Sequence, residues 1–233
     1  MTQKPWQWQS KQSIFEFIYE DKGDDMSTTE RSFSLKERQR QQREALILQT
    51  AAEVIEEKGY YDASLDEIAA RTGIAKSTVY THFVSKEALI VALFAQGMQR
   101  FLHDIDEIFA ANSSIRVRLE LVLQRSFTGM NQRRSLLLIK AFNDTDLKRM
   151  LMTGQSQLHD LWKQITERIT SALEEGQASG ELNPALPSKM LLVVFLSFCS
   201  PQTFEHLIFT EDRSSEDMAR LLGNIFFDGA SLK

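Results

Sequence analysis

Apolar residues recur at helical spacing along most of the chain. Ala45, Leu46, Leu48, Ala51, Ala52, Val54 and Ile55 make one stripe, and Gly59 after Lys58 is a helix-stop signal, because glycine takes the left-handed conformation freely. Ser64 followed by Glu67 reads as a capping box opening a short helix, about Leu65 to Arg71, which Gly73 breaks. Ala75 to Thr81 reads as a second short helix. Ser85 caps a long third one, running to about Phe109. Further helices are expected over 114–128, 132–142, 145–176, 188–210 and 215–231, with breaks at LNPALPS (182–188) and at RSS (213–215). Pro201 should kink the fifth of these stretches' predecessor, 188–210. Nothing between Trp6 and Asn183 is proline, and no alternating strand pattern with hairpin turns is present. The expected fold is all-α.

Composition adds limits rather than direction. Of 233 residues, 42% are hydrophobic and 25% charged, enough for a packed core. The net charge of −5 does not advertise nucleic acid, and the apolar run Met190–Cys199 is too short to span a bilayer. A single cysteine, Cys199, excludes an intrachain disulfide; in its apolar run it reads as an inert core thiol rather than a sensor. The N-terminus lacks a signal-peptide pattern, so the expected location is cytoplasmic. Residues 1–30 read as a flexible extension, with Met26 an alternative start. The His103-Asp104 and His159-Asp160 pairs lack further ligands at useful spacing, so no metal and no cofactor is expected.

The local charge tells more than the total. From Arg71 to Lys86 there is no acid, and Arg71, Lys76 and Lys86 make the stretch +3. Two short helices around a glycine turn have the geometry of a helix-turn-helix. Ala69 suits the close crossing, while Ile74, Val79 and Phe83 can anchor the second helix against Leu65 and Ile68. That leaves Lys76, Ser77, Thr78, Tyr80, Thr81 and His82 as hydrogen-bonding groups for a partner bearing phosphates.

These residues carry a resemblance. A-A-E-V-I-E-E-K-G-Y at 51–60, S-L-D-E-I-A-A-R-T-G-I at 64–74, K-S-T-V-Y-T-H-F at 76–83 and S-K-E-A-L at 85–89 resemble the DNA-binding domain of the TetR family of transcriptional regulators. The resemblance implies an N-terminal three-helix DNA-binding domain, 31–86, and a C-terminal helical ligand-binding and dimerisation domain, 87–233. It implies that Lys76, Ser77 and Thr81 face the major groove, and that Thr78, Tyr80, His82 and Lys86 contact phosphate. Ser64 could touch phosphate beside its own cap, and Ala75 could offer its methyl to a thymine. For Arg31 to Arg43 two roles stay open: contact with the neighbouring DNA, or a solvated helix start.

In the C-terminal half, Phe101, Phe127, Met130, Phe142 and Trp162 are the candidates for a pocket holding a lipophilic effector, with ordinary core the alternative for each. Residues 188–231, apolar on several sides, are the candidate homodimer interface. The expected function is a repressor, not an enzyme, released from an inverted-repeat operator in double-stranded DNA by a small molecule. The alternative keeps the DNA head and makes the C-terminal domain a protein-interaction platform without a ligand.

Overall fold

The computed structural model describes residues 34–130, 157–199 and 214–230. Eight helices are described: α1 (Leu35–Lys58), α2 (Leu65–Thr72), α3 (Lys76–His82), α4 (Lys86–Ala110), α5 (Ile115–Met130), α6 (Gln157–Ser179), α7 (Ser188–Phe198) and α8 (Ser215–Ala230). The described fold is all-α, and its helices belong to one unit, Leu35–Lys233. The helix expected over 132–142, with Phe142, lies outside the described residues, as do 145–156. So does the side chain of Met130 at the end of α5.

The local signals act as the chain chemistry requires. Gly59 and Gly73 take φ of +86° and +68°, ending α1 and α2. Ser64 Oγ accepts from the Glu67 amide at 3.2 Å, and Ser85 Oγ from the Ala88 amide at 3.2 Å. One arm of the expected capping box is reassigned: the Glu67 carboxylate pairs with Lys58 and Arg71. α7 is described as far as Phe198, with Cys199 in a turn, and the kink expected at Pro201 falls beyond it. Pro201 itself lies outside the described residues.

The first core gathers Ile47, Ala51, Val54 and Ile55 of α1, Ile68 of α2, Val79 of α3 and Leu89, Ile90 and Leu93 of α4. Leu158 and Leu161 of α6 close it. The helix expected to open the second domain thus gives its first two turns to the core of the first. α4 then continues, packing on α6 and α5.

A second knot lies around residues 181–183, where the sequence suggested only a break. The Glu181 carboxylate accepts from the amides of Ile115 and Arg116, the free donors at the start of α5. Leu182 is fully buried beneath Gly176, and the Asn183 amide donates to the Ala230 carbonyl at 2.7 Å. Nearby, Arg118 grips Glu175 of α6 through both terminal nitrogens, holding that carboxyl below its ordinary range. Arg116 reaches Glu120 and Asn224. No single described helix is long and apolar enough to cross a membrane.

Candidate nucleic-acid interface

The turn between α2 and α3 is built by two residues. Gly73 supplies the positive φ. Thr72, which the sequence reading passed over, turns its hydroxyl back to the carbonyls of Ile68 and Ala69 and accepts from the Ile74 amide at 3.3 Å. Val79 and Phe83 are buried, fixing α3 by one side. The opposite side carries Ala75, Lys76, Ser77, Tyr80 and Thr81, all exposed, with Thr78 half-buried beside them. Ser64 is exposed at the start of α2, its oxygen engaged with the Glu67 amide. The Thr81 hydroxyl donates to the Ser77 carbonyl at 2.9 Å.

Two expected phosphate contacts are otherwise occupied. The His82 side chain is only 6% exposed, and its Nδ1 lies 3.5 Å from Glu44 of α1, a close contact without hydrogen-bond alignment. His82 therefore packs between α3 and α1 rather than facing outward. Lys86 is committed as well. Its ammonium donates to the carbonyls of Tyr60, Tyr61 and Ala63 at 2.9–3.2 Å and lies 4.4 Å from the Tyr60 ring centroid. A lysine has three N–H donors, and here three carbonyls of the α1–α2 connection receive them. Lys86 is a clasp holding that connection to the start of α4.

The charge pattern also changes in three dimensions. Arg71 pairs with Glu57 of α1 and Glu67 of α2 at 2.7 and 2.8 Å. Lys76 pairs with Asp66 of α2 at 2.7 Å, and the Tyr80 hydroxyl donates to the other oxygen of that carboxylate at 3.3 Å. Acids absent from the 71–86 stretch thus return from neighbouring helices. The Lys76 hydrogen bond holds the Asp66 carboxyl below its ordinary range and, reciprocally, raises the Lys76 ammonium. Basic groups without an ion pair among the described residues lie elsewhere. Lys36, Arg38, Arg40 and Arg43 are exposed on the first turns of α1. Helical periodicity puts Lys36, Arg40 and Arg43 on the side that Ile47 later buries.

Of the expected effector residues, the three whose side chains are described lie on three different helices. Phe101 on α4 and Trp162 on α6 are partly buried, and the Trp162 indole N–H is buried with no acceptor among the described residues. Phe127 on α5 is 1% exposed. A Cβ at Gly97 of α4 would meet nothing within 4 Å, so close packing does not explain that glycine. Burial pushes the Cys199 thiol up to about 12. Among the described residues no group of three His, Cys, Asp or Glu side chains converges on a metal position.

Residues 47–93 match the family model described as bacterial regulatory proteins, tetR family. This match spans α1's buried half through the head's last core turn on α4. The fatty acid metabolism regulator protein of Bacillus subtilis (strain 168) is 25% identical over 144 residues, 62% of this chain and 73% of the relative. The HTH-type transcriptional regulator UidR of Escherichia coli (strain K12) is 28% identical over 148 residues, 63% of this chain and 74% of the relative. The crystal structure of the transcriptional regulator FadR from Bacillus subtilis in complex with stearoyl-CoA has the same fold. Its TM-score is 0.66 at 18% identity, covering 79% of this chain and 98% of that one. With a helix-turn-helix whose exposed face is polar and whose turn is set by Thr72 and Gly73, residues 47–93 are a DNA-binding domain of the tetR family type, and the chain is similar to transcriptional regulators that carry it.

Proposed function

We propose that this regulator is a cytoplasmic homodimeric repressor that reads an inverted-repeat operator in double-stranded DNA and is released by a lipophilic small molecule. The observation that carries the DNA half is the outer face of α3. Lys76, Ser77 and Thr81 are exposed opposite the buried anchors Val79 and Phe83. They are the candidates for base edges, with Ala75 beside them for a thymine methyl. Thr78 and Ser64 are the candidates for flanking phosphates, and the exposed basic turns of α1 add charge toward the same polyanion.

Four exposed apolar residues support the dimer: Met190 and Val194 on α7, and Leu221 and Ile225 on α8. Their neighbours Phe195 and Phe226 stack edge-to-face at 5.5 Å and hold the two helices together. A second copy laid on this face covers all four.

The effector half is supported by one rigid element and by two relatives. α4 runs unbroken from Lys86 to Ala110, about 37 Å at 1.5 Å per residue. It carries Leu89, Ile90 and Leu93 in the head and Phe101 and Ile105 beyond it. A relative is named for fatty acid metabolism, and a structure of the same fold holds stearoyl-CoA. A long-chain acyl thioester is therefore the first effector to try.

The test selects duplexes from random DNA, footprints the winner, and titrates stearoyl-CoA against the complex. Expected are a two-fold symmetric footprint and a loss of operator affinity within the usual 5–150-fold range of coupling. Asymmetric single sites overturn the dimer reading. Tight binding of stearoyl-CoA with unchanged operator affinity overturns the release mechanism and favours the interaction platform. A reporter under the selected operator fixes the sign of regulation.

A further inference from the structure

One carboxylate sits on the face assigned to DNA reading, an unusual place for a charge that phosphates repel. Asp66 belongs to α2, yet its side chain lies against α3. Oδ2 accepts from Lys76 Nζ at 2.7 Å, and Oδ1 accepts from the Tyr80 hydroxyl at 3.3 Å. Lys76 also lies 5.8 Å from the Tyr80 ring centroid, so the three side chains form a closed triangle. The side chains of Asp66 and Lys76 are 55% and 61% exposed, so the triangle points to solvent and buries nothing.

We propose that Asp66 is a positioning residue that converts Lys76 and Tyr80 from phosphate contacts into sequence-reading groups; this rests on the assignment of α3 to the major groove. A free lysine at this place is a mobile point charge, attracted by any phosphate of any sequence. Paired with Asp66, it is part of a net-neutral unit with little to gain from phosphates. One of its three donors is used, and two remain for the O6 and N7 acceptors of a guanine. Tyr80, donating to Asp66, presents its oxygen as an acceptor. Hydrogen bonds to base edges depend on sequence, whereas the net charge that draws in phosphate does not. The ordering of both side chains is complete before DNA arrives, so less conformational freedom is lost on binding. Asp66 thus lowers affinity for arbitrary DNA while sparing the operator.

The test uses the full-length chain, the duplex selected by wild type, and a scrambled duplex of equal length. In D66N, affinity for the scrambled duplex should rise about two- to five-fold, the range that one exposed ion pair supports. The salt slope should steepen by about 0.9. Operator affinity should rise less or fall, so the ratio of the two drops. D66E, which keeps the charge, should restore the ratio. In D66N combined with K76Q the gain on scrambled DNA should vanish. Equal gains on both duplexes, or a gain that survives without Lys76, overturn the proposal while leaving α3 as the reader. Failure of wild type to select any duplex overturns the reading of α3 itself, and the proposal with it.

Discussion

Lys86 donates to the carbonyl of Tyr60 at 2.9 Å while its ammonium lies 4.4 Å from the centroid of that residue's ring. With the carbonyls of Tyr61 and Ala63 also engaged, one side chain satisfies three carbonyls of the α1–α2 connection. Lys86→Ala leaves three acceptors without their donor. The head should lose about 1–3 kcal/mol of stability, the usual cost of losing hydrogen bonds to a charged group. Urea denaturation measures this. For the fraction that remains folded, the salt slope of DNA binding should stay unchanged. A slope reduced by about one unit would instead mark Lys86 as a direct phosphate contact.

Gly73 holds φ of +68° with open space around the position of a Cβ. Substitution there is penalised by backbone conformation alone. Gly73→Ala should cost about 1–2 kcal/mol, and Gly73→Asn less, because asparagine tolerates the left-handed region. Equal losses for the two variants, measured by thermal denaturation, would show that contacts rather than φ govern the turn.

Acid should loosen the head through a particular pair of carboxylates. Hydrogen bonds from Arg71 to Glu57, and from Lys58 and then Arg71 to Glu67, hold both groups below their ordinary 4.5. A carboxylate with a depressed folded pKa contributes stability that is fully present above the unfolded value and is lost as pH falls through the folded one. The melting temperature should therefore hold between about pH 7 and pH 5 and fall below that. Glu67→Gln should melt lower than wild type near neutrality and show a shallower decline in acid. Parallel curves for the two proteins would assign the acid limb to other groups.

Ile225 on α8 is 62% exposed in a patch with Met190, Val194 and Leu221. Ile225→Asp puts two unpaired charges, one per copy, into the interface proposed here. The dimer dissociation constant should rise more than tenfold, a change of about 1.4 kcal/mol or more. Light scattering across a dilution series reads this directly, and operator affinity should fall with it. A variant that stays dimeric at the same concentrations as wild type would place the interface elsewhere.

Helix boundaries were legible because their causes are local. Ser64, Gly73, Ser85 and Gly59 each act within four residues of themselves. The exposed face of α3 was legible too, since burying Val79 and Phe83 leaves the remaining positions outside. What the chain order hid were the partners across helices. Asp66 meets Lys76 ten residues on, Glu44 lies beside His82, and Lys86 reaches back to Tyr60 across 26 residues. Those meetings depend on the angles at which α1, α2, α3 and α4 cross, which no spacing rule states. Asp66 had one available signal. Folding α2 onto α3 about Gly73 puts the first turn of each helix side by side. Thr72 and Glu181 act through backbone groups, and composition is silent about those.

The knot at 181–183 has a consequence for the order in which the protein takes shape on the ribosome. The hydrogen bonds that Ser64, Asp66 and Lys86 make in the reading head join residues no more than 26 positions apart. Glu181 reaches Ile115 across 66. Closing a longer loop costs more chain entropy, and domains emerge from synthesis N-terminus first. Nascent chains halted before residue 181 should already show slowed amide exchange in α2 and α3, while α5 exchanges freely. Protection of α5 in such chains would contradict this order. The half that touches DNA is thus shaped before the half proposed to restrain it is sealed.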